Sequence, residues 1–304
     1  MNLSGDRQPA KALLRQRWGR PRWLAKGRWV VVFLALGLPA LIAGAFLWDT
    51  RGPQPATEIF QGVVYGCERL APTEEGSGLL HWVRVDLTAP GIELYVTQVD
   101  PEAVAQGWQY RLRWIGGVVD RERLAVAING MMFTSASIWR LRLPGDLAKG
   151  VETAVSDHVV SHVWEHAYVL WFEDDLTPHL PASKPPMRSE LARAKWGIGG
   201  QALWLRAGQV WPGSERKPDA RTAVAVDEER KILFLAVGES ISPRLMLQKL
   251  ADLGAKEGML LDGGGSSSMA IGGGARHITP GVLYGGLRAV ATHVGVRARP
   301  LPPS

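Results

Sequence analysis

Leu260-Leu261-Asp262-Gly263-Gly264-Gly265-Ser266-Ser267-Ser268-Met269 is the stretch from which the rest of the chain can be read. Two apolar residues run into an acid, three glycines and three serines follow, and Met269-Ala270-Ile271 resumes an apolar run before Gly272-Gly273-Gly274. Glycine admits backbone conformations closed to other residues and lets a main chain approach a bound group. Successive N–H groups in such a bend can form a nest for an anion. A carboxylate at its lip is placed for acid–base or ligand-holding work. The plainer reading is a Gly/Ser linker or a simple hairpin. Against it, the flanks are short and strand-like, which puts the glycines inside a fold.

Immediately upstream, Leu245, Leu247, Leu250 and Leu253 have helical spacing and end at Gly254, a fitting C-cap. Before that helix, Thr222–Val226 and Ile232–Val237 flank Asp227-Glu228-Glu229-Arg230 and read as a β-hairpin. Leu80–Leu87 and Ile92–Val96 read as paired strands around Pro90-Gly91. Leu124–Ile128 is a buried strand running into Asn129-Gly130. Val210-Trp211-Pro212-Gly213 closes another hairpin, Pro178–Pro186 is an exposed loop, and Val290–Val296 is a terminal strand. Strands dominate and helices are few, so the expected fold class is α+β with a mixed β-sheet.

The 304 residues are enough for one or two domains, and an apolar fraction of 46% allows a sizeable core. Residues 1–48 hold eight basic residues against one acid, a net of +7, so the rest of the chain sums to −1 of the formal +6. The basic character belongs to the tail, and the body offers nucleic acid no electrostatic footprint. Cys67 is the only cysteine, so no intramolecular disulfide forms. No charged residue occurs from Trp29 to Trp48. At about 1.5 Å rise per residue this segment spans a hydrocarbon core of roughly 30 Å. Its terminal tryptophans suit the membrane interface, and the basic flank places residues 1–28 in the cytoplasm with the body outside. A cleaved signal peptide is the alternative, since Ala43-Gly44-Ala45 resembles a cleavage site. A core helix is a third reading. The expected division is a basic tail (1–28), one transmembrane anchor (29–48), linker and domain entry (49–79), a catalytic-type domain (80–298) and a short tail (299–304).

His158, His162 and His166 recur every four residues and would form a zinc-like stripe on a helix. Val159-Val160 and Tyr168–Phe172 favour strand, where residues four apart stand roughly 13 Å from one another and cannot share an ion. The Ser266–Ser268 run lacks the G-x-S-x-G elbow of a serine hydrolase, and no G-K-[ST] follows the glycines. Asn129, Arg221, Glu239 and Asp262 all fall at strand ends, where ligand-binding loops gather.

Four segments resemble the phosphodiester glycosidase family in order and spacing. They are Ala127-Ile128-Asn129-Gly130-Met131-Met132-Phe133, Ala220-Arg221-Thr222-Ala223-Val224, Leu250-Ala251-Asp252-Leu253-Gly254-Ala255 and Leu261-Asp262-Gly263-Gly264-Gly265-Ser266-Ser267. The resemblance spans about residues 80–298. The chain departs from the family pattern in four places. Val237-Gly238-Glu239 stands where Asp-Gly is usual, and Arg244 and Met246 where a Gly and a Thr are. Leu287 precedes Arg288 where Glu is usual, and Thr292-His293 replaces an Asn.

The resemblance implies a hydrolase that cleaves the glycosidic bond to phosphate in a sugar phosphodiester. On that reading Asp262 acts at the anomeric carbon or on water, Glu239 is the candidate second carboxylate, and Arg221 and Arg288 neutralise the phosphodiester charge. Gly263, Gly264, Gly265 and Ser266 supply donors, with Asn129 and Gly130 beside them. The expected partners are a sugar-phosphate or glycan substrate and the lipid bilayer, with no nucleic acid; no cofactor or metal is called for. The competing class is a non-catalytic glycan-binding protein of the cell envelope on the same scaffold.

Overall fold

The computed structural model describes residues 52–136, 142–161, 168–180, 186, 188–201, 203–211, 217–273 and 281–302. The expected tail and membrane span at 1–48, and His162 and His166, lie outside the described residues. Among those described, no helix is long and apolar enough to cross a membrane.

The body, from Arg51 onward, is one compact unit. Its largest sheet has eight strands. In spatial order these are β1 (Gln54–Phe60), β2 (Val63–Thr73), β3 (Gly76–Asp86), β17 (Ile232–Ile241), β16 (Asp219–Asp227), β18 (Glu257–Leu260), β14 (Leu203–Arg206) and β15 (Gln209–Val210). A five-stranded sheet runs β20 (Gly281–Tyr284), β19 (Met269–Ile271), β6 (Val126–Asn129), β21 (His293–Arg297) and β4 (Glu93–Val96). A second five-stranded sheet runs β10 (Val159–Val160), β9 (Ala154–Ser156), β13 (Trp196–Gly200), β11 (Tyr168–Phe172) and β12 (Pro178–His179). A small sheet joins β5 (Tyr110–Arg111), β8 (Leu147–Gly150) and β7 (Phe133–Ser135). The described helices are α1 (Pro101–Val104), α2 (Ile115–Glu122), α3 (Arg188–Leu191) and α4 (Pro243–Asp252).

The period-2 alternation of the strands sorts their side chains into layers. Val224, Val226, Leu233, Leu235 and Val237 face the main core, which they share with Val126, Ile128, Met269, Ile271, Val294 and Val296 of the β6 sheet. The residues between them, Ala223, Ala225, Phe234 and Ala236, face the other way, against Met246, Leu247 and Leu250 of α4. On the far side of the β6 sheet, Tyr95, Ala127 and Ala270 pack on Ile115, Val118 and Val119 of α2. The centre of the molecule is therefore two sheets face to face with a helix on each outer face. Helix α4 begins at Ser242, whose hydroxyl accepts the Leu245 N–H at 3.1 Å, with Pro243 in its first turn. It ends before Gly254, whose φ of +106° is the conformation anticipated for a C-cap glycine.

The β-rich character with few helices is as expected, and among the described residues the strand pairings are antiparallel where a mixed sheet was expected. The helical crossover through α4 would usually give parallel neighbours. Here it carries β18 past β17 to the far side of β16, so β16 separates the two like-directed strands. Ile92–Val96 is not the partner of Leu80–Leu87. β4 pairs with β21, while β3 lies between β2 and β17, because the turn after Asp86 passes the chain to the other sheet. The hairpin near Val210 turns at Ala207-Gly208, both with positive φ, and Val210 belongs to its second strand. Pro178 is buried in β12, paired with Phe172, so the Pro-rich segment starts inside a sheet. His158 sits in a tight turn at φ +65° before β10, which removes the helical stripe. Residues 49–79, expected as linker and entry, carry β1 and β2. The C-terminal end is tied to them by the Gln61 N–H to Arg299 O bond and the Phe60–Pro300 bridge.

Gly272 ends β19 under the backbone of Leu124; a Cβ built there would stand 2.0 Å from the Leu124 carbonyl oxygen. Gly272→Ala is therefore expected to lower the unfolding free energy by about 2 kcal/mol or more, read from the urea midpoint.

Candidate active site

The site is assembled where β6 of one sheet and β16 of the other meet the 262–268 turn, and one amide does the assembling. Asn129, at the end of β6, is fully buried. Its Nδ2 donates to the carbonyl oxygen of Asp262 at 2.7 Å. Its Oδ1 accepts the Thr222 hydroxyl at 2.7 Å and the Ser268 N–H at 3.0 Å. The backbone adds the Asp262 N–H to Gly130 O, the Leu261 N–H to Thr222 O and the Asn129 N–H to Ser268 O. Both ends of the 262–268 turn are thus fixed to β6 and β16. Gly130 also has no room for a side chain, since a Cβ would lie 2.5 Å from Thr292 Oγ1.

Between those fixed ends, Gly264-Gly265-Ser266 forms a single 3-10 turn, with Gly264 at φ +60°. A guanidinium stands on each side of it. Arg221 Nη1 is 3.5 Å from a Cβ built on Gly263, and the Arg288 guanidinium carbon is 2.9 Å from one built on Gly265. The close approach of Arg288 is possible because residue 265 has no side chain. Gly264, Gly265, Ser267, Tyr284, Gly285, Leu287 and Arg288 line a cleft of about 400 Å³ over the turn. Leu287 stands 87% exposed at its rim.

Burial pushes the carboxyl of Asp262 above its ordinary range, and the Ser266 hydroxyl, Arg142, the Gly263 N–H and Arg288 oppose that by favouring the charged form. Arg142 also stacks over the Phe133 ring at 4.8 Å, and its carbonyl accepts the Ala289 N–H, which ties it to the Arg288 segment. A carboxylate with guanidinium groups around it and N–H groups of a glycine turn beside it suits an anionic substrate attacked next to its charge. Among the described residues, no group of three His, Cys, Asp or Glu is arranged to hold a metal ion.

Of the residues expected from sequence, Asp262, Gly263, Gly264, Gly265, Ser266, Arg221 and Arg288 come together. Asn129 and Gly130 lie beneath them as supports, with the Asn129 amide occupied by the fold. Glu239 is placed differently. It occupies an irregularity between Gly238 and Ser240 in the β17–β3 pairing, and its Oε2 accepts the Leu79 N–H at 2.7 Å. β3 lies three strand positions from β18, roughly 14 Å at ordinary strand spacing. This carboxylate closes a bulge between β17 and β3.

Two residues escape sequence reasoning. Arg142 belongs to no motif and reaches the site only through the fold. Glu152 lies in Gly150-Val151-Glu152-Thr153-Ala154-Val155, and its one sequence signal is an acid inside an otherwise apolar run. It is 1% exposed, and neither carboxyl oxygen makes a hydrogen bond of ordinary geometry. Burial raises its pKa to about 7, partly offset by the N–H groups of Glu152 and Met132 and reinforced by the Asp262 charge.

With this geometry in hand, the comparisons with known proteins define the class. The family profile for phosphodiester glycosidases matches residues 122–297, more than half of the chain, and the chain belongs to the phosphodiester glycosidase family. Among solved structures it is similar to the catalytic domain of zebrafish N-acetylglucosamine-1-phosphodiester alpha-N-acetylglucosaminidase, auto-inhibited by its pro-peptide. That likeness has a TM-score of 0.54 at 17% identity and covers 82% of this chain and 86% of that one. It is also similar to a hypothetical protein from Synechocystis, with a TM-score of 0.51 at 16% identity, covering 78% of this chain and 62% of that one. At such identities the likeness is one of fold. No curated protein sequence matches the chain.

The buried ionisable groups make stability depend on pH in opposite senses. Glu152 has a folded pKa of about 7 against an ordinary 4.5, so the folded state holds its proton longer and stability falls as pH rises through that window. Burial pushes His293 down to about 3 from 6.5, so its contribution is present above 6.5 and is lost as pH falls towards 3. Between 4.5 and 6.5 the two slopes oppose each other. Glu152→Gln removes one of them. The unfolding free energy of the variant minus that of the wild type is expected to grow by about 3 kcal/mol between pH 4.5 and pH 8, measured by urea unfolding at each pH.

Proposed function

We propose that the chain is a hydrolase of sugar phosphodiesters that breaks the bond between the anomeric carbon and the phosphate oxygen, held at the outer face of a cell membrane and acting on glycans of the cell envelope. The observation that carries this reading is the carboxyl of Asp262 beside a glycine turn flanked by Arg221 and Arg288. The two guanidinium groups take the phosphodiester charge, and the turn offers N–H donors to its oxygens. Asp262 acts at the anomeric carbon, directly or through a water. The carbon–oxygen bond breaks, its electron pair leaves with the phosphate as a monoester, and the elements of water add to the sugar and the leaving oxygen. A phosphate leaves readily, so little acid assistance is needed and the loss of Glu239 as a second carboxylate does not disable the site.

Purified chain incubated with a sugar-1-phosphodiester is expected to release free sugar, and Asp262→Asn to lower kcat by about a hundredfold or more. Arg221→Ala and Arg288→Ala should act mainly on KM, because they contact charge present in the bound substrate. Full activity in Asp262→Asn would overturn the assignment. Glycan binding by the wild type without turnover would favour the non-catalytic class.

The membrane placement rests on the uncharged run Trp29–Trp48 and the basic residues before it. A reporter enzyme that works only outside the cytoplasm, fused after Ser304, is expected to be active. A reporter active only in the cytoplasm at the same junction would refute the orientation.

A further inference from the structure

Glu152 is a buried carboxyl that the reaction above does not use. Glu152 is enclosed from two sides by the segments that position Asp262. On one side, the Val151 N–H donates to Met132 O at 2.8 Å, which lays Glu152 along the residues following Gly130. Gly130 is the residue whose carbonyl accepts the Asp262 N–H. On the other side, Gly199 of β13 donates its N–H to Thr153 O, and a Cβ at 199 would lie 2.6 Å from Glu152 Cβ. The same strand continues to Gln201, whose N–H donates to Leu260 O at 2.9 Å and whose Nε2 donates to Leu261 O at 3.3 Å. Both walls around Glu152 therefore run straight to the two residues before Asp262 and to its own amide. A carboxylate sealed from water, with neither a hydrogen bond of ordinary geometry nor a cation beside it among the described residues, is costly to keep charged.

We propose that Glu152 is a positioning residue for Asp262: its carboxyl, buried between the two walls that fix Asp262, shares a single negative charge with it, so that the anionic phosphodiester meets one carboxylate instead of two. This rests on the reading of Asp262 as the reacting group. Its consequence is a pH limit. Glu152 loses its proton as pH rises through about 7, the pair then carries two charges, and substrate is repelled. The groups around the pair are few among the described residues. Arg142 and Arg288 act on Asp262. Gly199 and Met132 carry nothing that titrates. Tyr110, which packs at Gly150, is pushed up to about 12 by burial and is silent below that.

The test has two arms, both at a temperature well below unfolding. In the first, the Glu152 carboxyl is titrated by carbon NMR, assigned by its absence in Glu152→Gln, in otherwise wild-type protein and in Asp262→Asn. The expected result is a titration near pH 7 that moves down when the Asp262 charge is removed. A Glu152 titration unmoved by Asp262→Asn would overturn the proposal. In the second, kcat/KM for a sugar-1-phosphodiester is followed from pH 5 to pH 9. The wild type is expected to fall by about tenfold per pH unit above the Glu152 pKa. In Glu152→Gln the ratio of the pH 9 to the pH 6 value should lie near one, whatever the absolute rate. An alkaline limb of unchanged position in Glu152→Gln would likewise overturn it. If the carboxyl titrates as expected but the wild type turns over no sugar phosphodiester, the coupling of the two carboxyls stands and the hydrolase reading is what fails.

Discussion

The buried amide of Asn129 is the constraint on which the functional end of this molecule depends. One side chain bonds the carbonyl of Asp262, the hydroxyl of Thr222 and the N–H of Ser268. These partners belong to two segments, β16 and the 262–268 turn, both far in sequence from Asn129. A glycine-rich turn left to itself would sample many conformations, since glycine loses more backbone freedom on ordering than any other residue. Fixing both ends to neighbouring strands removes most of that freedom and sets the N–H groups and the carboxyl of Asp262 in one arrangement before any ligand arrives. Preorganisation of this kind is what lets dipoles and charges act on a developing charge without first rearranging.

The layers around that amide serve the same end. The two central sheets share a core of branched aliphatic residues, and α4 and α2 cover their outer faces. This packing holds β16, β18 and β6 in fixed register, so Arg221 from one sheet and Arg288 from the loop before β21 reach opposite sides of the same turn. Arg142 and Arg288 oppose the burial that raises the carboxyl of Asp262. Glu152, with no cation among the groups that act on it, has only backbone N–H groups to offset its burial. Burial raises both carboxyls, and the charged groups that oppose it differ between them.

Much of the scaffold was legible in the chain. Thr222–Val226 with Ile232–Val237, the helix ending at Gly254, and the strand running into Asp262 have strong periodicity and clear punctuation, and they are found as expected. Arg221 and Arg288 also come to lie against the 263–265 glycines. What failed depended on partners distant in sequence. The run Ile92–Val96 reads as the mate of Leu80–Leu87 because they are adjacent in the chain, yet the turn between them changes sheets. Glu239 stands at a strand end and looks available, but a bulge turns it towards Leu79. Arg142 and Glu152 sit in no motif, and their roles exist only once β7, β8 and β13 have brought them beside Asp262.

The sequence by itself determined the elements and the chemistry of the central turn. Alternation of two, helical spacing and glycine punctuation are local properties, and an Asp followed by three glycines is an anion-friendly bend in any fold that holds it. The tertiary structure alone decided which carboxyl accompanies Asp262. Whether an acid is charged, neutral or bound to a backbone amide is set by what surrounds it in space. Those surroundings are built from strands that the chain order does not pair.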